Sequence, residues 1–251
     1  MTAHPVLYYY LWIAPHVLQI VLAILMFRKR LVREFPAFFA YIVFEVLQFF
    51  TLACMAGLHT YNGYAYVWYA GETVSAALRF AVIREIFTRV FENYSPLKQL
   101  GSQIFRWATV LLVITAVLVV AYTPGNEMDR VSVAINVIDR TVSIVQFGLL
   151  LFLLILSRFL RFNWRSYAFG IALGLGVFAA LKLVNWTVSM EFAGADALEF
   201  FNLFMMAAYH CCVLFWVVTL LLPQPQRIPV SSVSSINIDH WNNALERFLQ
   251  S

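Results

Sequence analysis

Seven stretches of predominantly apolar residues follow one another along the chain: Val6 to Phe27, Pro36 to Leu58, Tyr64 to Phe87, Ile104 to Tyr122, Val131 to Leu156, Tyr167 to Ser189 and Ala197 to Leu222. An α-helix rises about 1.5 Å per residue, so about 20 apolar residues cross the roughly 30 Å hydrocarbon core of a bilayer. The pattern therefore predicts an all-α polytopic membrane protein with a seven-helix transmembrane domain over residues 1–222. The first stretch lacks the positively charged start and small-residue cleavage site of a signal peptide and reads as a retained helix.

Polar residues inside these stretches recur at helical spacing. Trp12, His16 and Gln19 share a face of the first span, Tyr41, Glu45 and Gln48 of the second, and Glu72, Ser75 and Arg79 of the third. Asn136, Asp139, Ser143 and Gln146 do so on the fifth, Lys182, Asn185 and Ser189 on the sixth, and Asn202, Met206 and Tyr209 on the seventh. A stripe at i, i+3 or i+4, and i+7 lines one side of a helix, and in a bilayer a polar side turns toward other helices. Between Arg106 and Tyr122 the only polar side chains of the fourth span are Thr109 and Thr115, which predicts a peripheral, lipid-facing helix.

Composition agrees. Of 251 residues, 62% are hydrophobic and 12% charged, against roughly 45–50% and about 25% in soluble domains. So few charges cannot cover a soluble surface or bind nucleic acid. Cys54, Cys211 and Cys212 all fall within spans, which excludes a secreted disulfide framework. Thirteen of the seventeen Lys and Arg residues fall on one side, in the first, third and fifth connections and the tail, whereas the other side carries only Arg130 among acidic residues. The positive-inside rule then puts the N-terminus outside and the C-terminus in the cytoplasm. The expected location is the plasma membrane, or the inner membrane of a bacterium.

Six charges remain within the spans: Glu45, Glu72 and Asp139 against Arg79, Arg140 and Lys182. Each is costly in hydrocarbon unless paired or hydrated, and such residues commonly mark a site. Counting residues from the outer ends puts Glu72, Asp139, Arg140 and Lys182 roughly 12–15 Å deep, Glu45 and Arg79 roughly 20–25 Å, and His16 and His210 roughly 15–18 Å. Two layers are expected. The upper one is a ligand pocket open to the outside, in which Arg140 and Lys182 hold an anionic group, Glu72 and Asp139 balance them or accept a cationic one, and Trp186 and Asn202 form the outer wall. The lower one is an inner relay of Glu45, Arg79, His210 and His16. The alternative is that these are ion pairs that only fix helix register.

The remaining features concern packing and partners. Gly170 and Gly174 form a GxxxG spacing suited to close helix packing, and Pro15 beside His16 is placed to kink the first helix and free a carbonyl. Residues 223–238 are a Pro- and Ser-rich linker, and 239–250 an amphipathic cytoplasmic helix whose Trp241, Leu245 and Phe248 would pack on the membrane surface or a protein partner. The leading functional expectation is a receptor or sensor that binds a small charged or zwitterionic ligand and signals through a cytoplasmic partner. A small-solute or proton-coupled transporter with parallel 3+1+3 helices and a scaffolding subunit of a membrane complex are the alternatives. The pattern leans away from an enzyme: no catalytic constellation and no metal site are legible. Haem held between His16 and His210 is the one cofactor chemistry those two side chains would allow.

Overall fold

The computed structural model describes residues 5–57, 61–90, 127–160, 166–191 and 195–223, together with ten positions between 103 and 122. It is all-helical. The helices are α1 (Pro5–Arg28), α2 (Pro36–Gly57), α3 (Tyr61–Val90), α4 (Glu127–Leu160), α5 (Tyr167–Glu191) and α6 (Ala195–Leu221), with a 3-10 turn at Leu31–Arg33 between α1 and α2. They correspond to the first three and last three apolar stretches of the sequence.

The fourth stretch lies largely outside the described residues, so seven spans are not established. Its ten described positions, which include Trp107, Val113, Val117 and Tyr122, are helical and exposed. The segments 224–251, with the linker and the amphipathic helix carrying Trp241, Leu245 and Phe248, also lie outside the described residues. Among the described residues, four helices are long and apolar enough to cross a membrane: Val6–Arg28, Pro36–Ala56, Tyr167–Val188 and Glu199–Leu221. α3 and α4 are longer still, at 30 and 34 residues, but each is interrupted by charges.

Each helix packs on its neighbours in sequence, and α6 returns to α1, so the six close a ring; α3 also touches α5 across it. The ring is filled unevenly. Its fully buried large side chains, including Leu22, Met26, Phe38, Ile42, Ile83, Ile86, Ile171, Trp216 and Leu220, gather toward the end where α1 runs into α2. The GxxxG spacing is spent inside this packed end: a Cβ on Gly170 would collide with the Thr219 side chain, and one on Gly174 with the Trp216 ring. Glycine thus lets α5 approach α6 closely enough for the indole to lie against its backbone, with Phe38 edge-on to the same ring at 5.2 Å between centroids.

Charged side chains fasten the helix ends here. α2 begins at Pro36, and no capping side chain precedes it, since residue 35 is Phe. Glu85 of α3 takes that role: its two oxygens accept the backbone N–H groups of Ala37 (3.0 Å) and Phe38 (3.1 Å), where the helix dipole also favours a negative charge. Arg89, one turn on, donates to the carbonyls of Glu34 and Arg33. Lys29 donates to the Leu220 carbonyl at the end of α6, where a cation is favoured. Arg30 adopts the left-handed conformation (φ 58°) that turns the chain out of α1. Glu85→Ala is expected to lower stability by about 1–2 kcal/mol, the range for losing a helix cap; thermal unfolding of the purified variant checks this.

Candidate functional site

The other half of the ring is not filled. A cavity of about 410 Å³ lies between α1, α4, α5 and α6. α1 contributes Leu11, Trp12, Pro15 and His16; α4 Asn136, Asp139, Arg140 and Ser143; α5 Phe178, Lys182, Leu183, Asn185 and Trp186; and α6 Met205, Met206 and Tyr209. The stripes explain the selection. Residues spaced by three or four share a helix face, and the same inward faces that carry large apolar groups at one end carry polar ones here. α1 is continuous through Pro15. Proline has no N–H for the Leu11 carbonyl, and both residues are on the cavity wall.

Asp139 is the electrostatic centre. One carboxylate oxygen accepts from the Arg79 guanidinium, and the other lies 2.5 Å from Lys182 Nζ. Arg79 is only 3% exposed, so its charge is balanced from within the protein. This pairing corrects the expectation of two layers. Arg79 belongs to a single cluster with Asp139 and Lys182, because its side chain spans more than a helical turn of about 5 Å and reaches past the depth of its own Cα. Glu45 is left out of that bridge and accepts instead from Ser75 Oγ at 2.5 Å. Glu72 lies with Glu45 in the electrostatic surroundings of Arg79 but is not part of the cavity wall.

Arg140 is adjacent to Asp139 in sequence yet turned to a different face. It is exposed, and its guanidinium carbon is 3.7 Å from the centre of the Trp186 ring, a cation-π stack. Among the described residues it forms no ion pair with an acid. Asn202, expected on the outer wall with Trp186, is exposed and away from the cavity; Met205, Met206 and Tyr209 represent α6 there.

The two membrane-embedded histidines have separate surroundings. The His16 ring stacks on Phe49 (4.2 Å between centroids), and its Nδ1 is 2.9 Å from Gln19 Oε1. Gln19 Nε2 donates to the Tyr209 hydroxyl at 2.5 Å, with Tyr41 in the electrostatic surroundings of that hydroxyl. His210 instead sits edge-on to Tyr10, with Nε2 3.5 Å from that hydroxyl. It is therefore neither on the cavity wall nor beside Arg79 and Glu45, as the inner relay would have required. A chain of hydrogen bonds from His16 through Gln19 to Tyr209 takes the place expected for that relay. Among the described residues no group of three or more His, Cys, Asp or Glu side chains is arranged to hold a metal ion.

Sequence reasoning did not anticipate Glu85, Arg89 and Lys29 as fasteners of helix ends. One signal was available: a helix starting at Pro36 with no Ser, Thr, Asp or Asn before it needs acceptors from elsewhere. Compared with known proteins, the chain matches no family model, no curated protein and no solved structure.

Proposed function

We propose that this is a receptor- or sensor-like membrane protein whose cavity binds a small charged or zwitterionic ligand. The observation that carries this reading is the state of the charges on the cavity wall. Both Asp139 oxygens are already committed to Arg79 and Lys182, while Arg140 rests on an aromatic face with no acid paired to it among the described residues. Structural ion pairing leaves no reason to keep a further cation at a cavity inside a membrane, because a charge there is costly without compensation. A ligand group of opposite sign supplies that compensation. The volume also suits a small molecule, since ligand pockets run from about 300 to 1,000 Å³.

The distribution of Lys and Arg favours an orientation in which the cavity faces outside and the packed end faces the cytoplasm. That end argues for a receptor over a carrier: a through-passage would require parting Phe38, Trp216 and their neighbours and releasing the Lys29 and Glu85 contacts. Output would pass through a cytoplasmic partner.

The test is a thermal-shift screen of the purified protein against anionic and zwitterionic metabolites. A true ligand at a hundred times its Kd raises stability by about 2.7 kcal/mol, and Arg140→Gln and Lys182→Gln should each abolish most of that gain. Hits that shift both variants as much as the parent would rule out the cavity as their site. Counterflow of a hit in liposomes would favour the transporter alternative.

A further inference from the structure

We infer that the ligand is a small monocarboxylate with an apolar body, its carboxylate seated between Arg140 and Lys182; this rests on the reading of the cavity as a ligand site. Charge comes first. On the wall itself Asp139, Arg140 and Lys182 are one more positive than negative, while Arg79 behind Asp139 is countered by Glu45 and Glu72 in its own surroundings. A single negative charge therefore matches the excess at the wall. A dianion would bring a second charge into a low-dielectric cavity without a partner, which costs more than its extra hydrogen bonds return.

Geometry then selects among monoanions. Arg140 lies over the Trp186 ring at 3.7 Å, and a guanidinium stacked in this way keeps its N–H groups in its own plane, free to meet a planar acceptor edge-on. A carboxylate matches that fork with two parallel hydrogen bonds. Lys182 Nζ has three donors, and its one acidic partner among the described residues is Asp139 Oδ2 at 2.5 Å, so a second carboxylate oxygen can be shared with it.

The rest of the wall describes the rest of the ligand. Trp12, Phe178, Leu183, Met205 and Met206 supply apolar surface on the same wall, which accepts an aromatic or branched body. Among the described residues Asn185 Oδ1 has no hydrogen-bond partner, and an amine, amide or hydroxyl beside the carboxylate would supply a donor for it. Amino and hydroxy acids with apolar side chains combine all of these features.

Four probes test this on the full-length protein in detergent: phenylacetate, its neutral isostere phenylacetamide and L-phenylalanine, which are of similar size, and inorganic phosphate as a compact anion without an apolar body. Charge-assisted hydrogen bonds are worth enough that phenylacetate and L-phenylalanine should bind about 10- to 100-fold more tightly than phenylacetamide, with phosphate weaker still. Arg140→Gln should remove that preference, and Arg140→Lys should recover only part of it because an ammonium cannot form the fork. Phenylacetamide or phosphate binding as tightly as phenylacetate, or no binding by any of the four, overturns the inference. If the probes are silent while another molecule raises the melting temperature in a way that Lys182→Gln abolishes, the carboxylate class fails and the ligand site stands. If no compound in an anionic and zwitterionic library does so, both fail.

Discussion

Replacing Asp139 with Ala is expected to destabilise the protein by roughly 3–5 kcal/mol, because it leaves two cations in the interior with no acid between them. Arg79 is buried, and its guanidinium and Lys182 Nζ both depend on this one carboxylate. The reverse experiment separates stability from function. The triple variant Arg79→Met, Asp139→Leu, Lys182→Met removes all three charges and fills their space, and such replacements of buried ion clusters are often neutral or stabilising. It should melt at or above the parent temperature while losing every ligand-induced shift. Thermal unfolding followed by tryptophan fluorescence reads both outcomes. An Asp139→Ala protein that melts with the parent would show that the bridge does not hold α3, α4 and α5 together.

Trp216→Ala should cost a similar amount, roughly 3–5 kcal/mol, through a different mechanism. The indole is 0% exposed and fills the space between the Gly174 backbone and the Phe38 ring. In a bilayer, lipid chains are as apolar as the side chains, so helix association rests on close packing, and a cavity forfeits those contacts outright. Gly174→Leu should be at least as damaging, since its side chain would compete with the indole for one volume. Combining it with Trp216→Ala should recover part of the loss, because two residues that share a contact do not add independently. Additive losses in the double variant would mean that the two do not meet.

The two variants act on opposite halves of the ring, which relates stability to the proposed function. The packed half draws on all six helices, α4 entering it at Val142, and there the helix ends are tied by Glu85, Arg89 and Lys29. In the cavity half one carboxylate is shared between two cations. A ligand carboxylate arriving beside Lys182 would compete with Asp139 for it, and so would act directly on a charged contact between α4 and α5.

Much of this was legible in the residues themselves. Apolar stretches about 20 residues long place helices because a bilayer leaves the backbone no other way to satisfy its hydrogen bonds. The described helices begin and end within a few residues of those stretches, as with 167–189 against Tyr167–Glu191. Inward faces were legible in part: Gln19, Ser75, Arg79, Ser143 and Gln146 on the polar stripes are buried, whereas Asn136 and Asn202 of the same stripes are exposed. Trp216 shows the limit of such reasoning. A tryptophan near a span's end suggests an interfacial anchor, yet this one is buried against Gly174 and Phe38 because neighbouring helices reach it first.

The sequence by itself determined the helical class, the apolar segments and many of the polar side chains that turn inward, since these depend on short-range periodicity and on hydrocarbon as the solvent. Only the tertiary structure decided the partners. Asp139 rather than Glu45 takes Arg79, Ser75 takes Glu45, Trp186 supports Arg140, and Glu85 caps a helix about fifty residues away. The physical reason is reach. Counting 1.5 Å steps along a helix, an approximate rise, locates Cα atoms, whereas Arg, Lys and Glu carry their charges several ångströms beyond them, in directions set by helix rotation and neighbour order that no single span encodes.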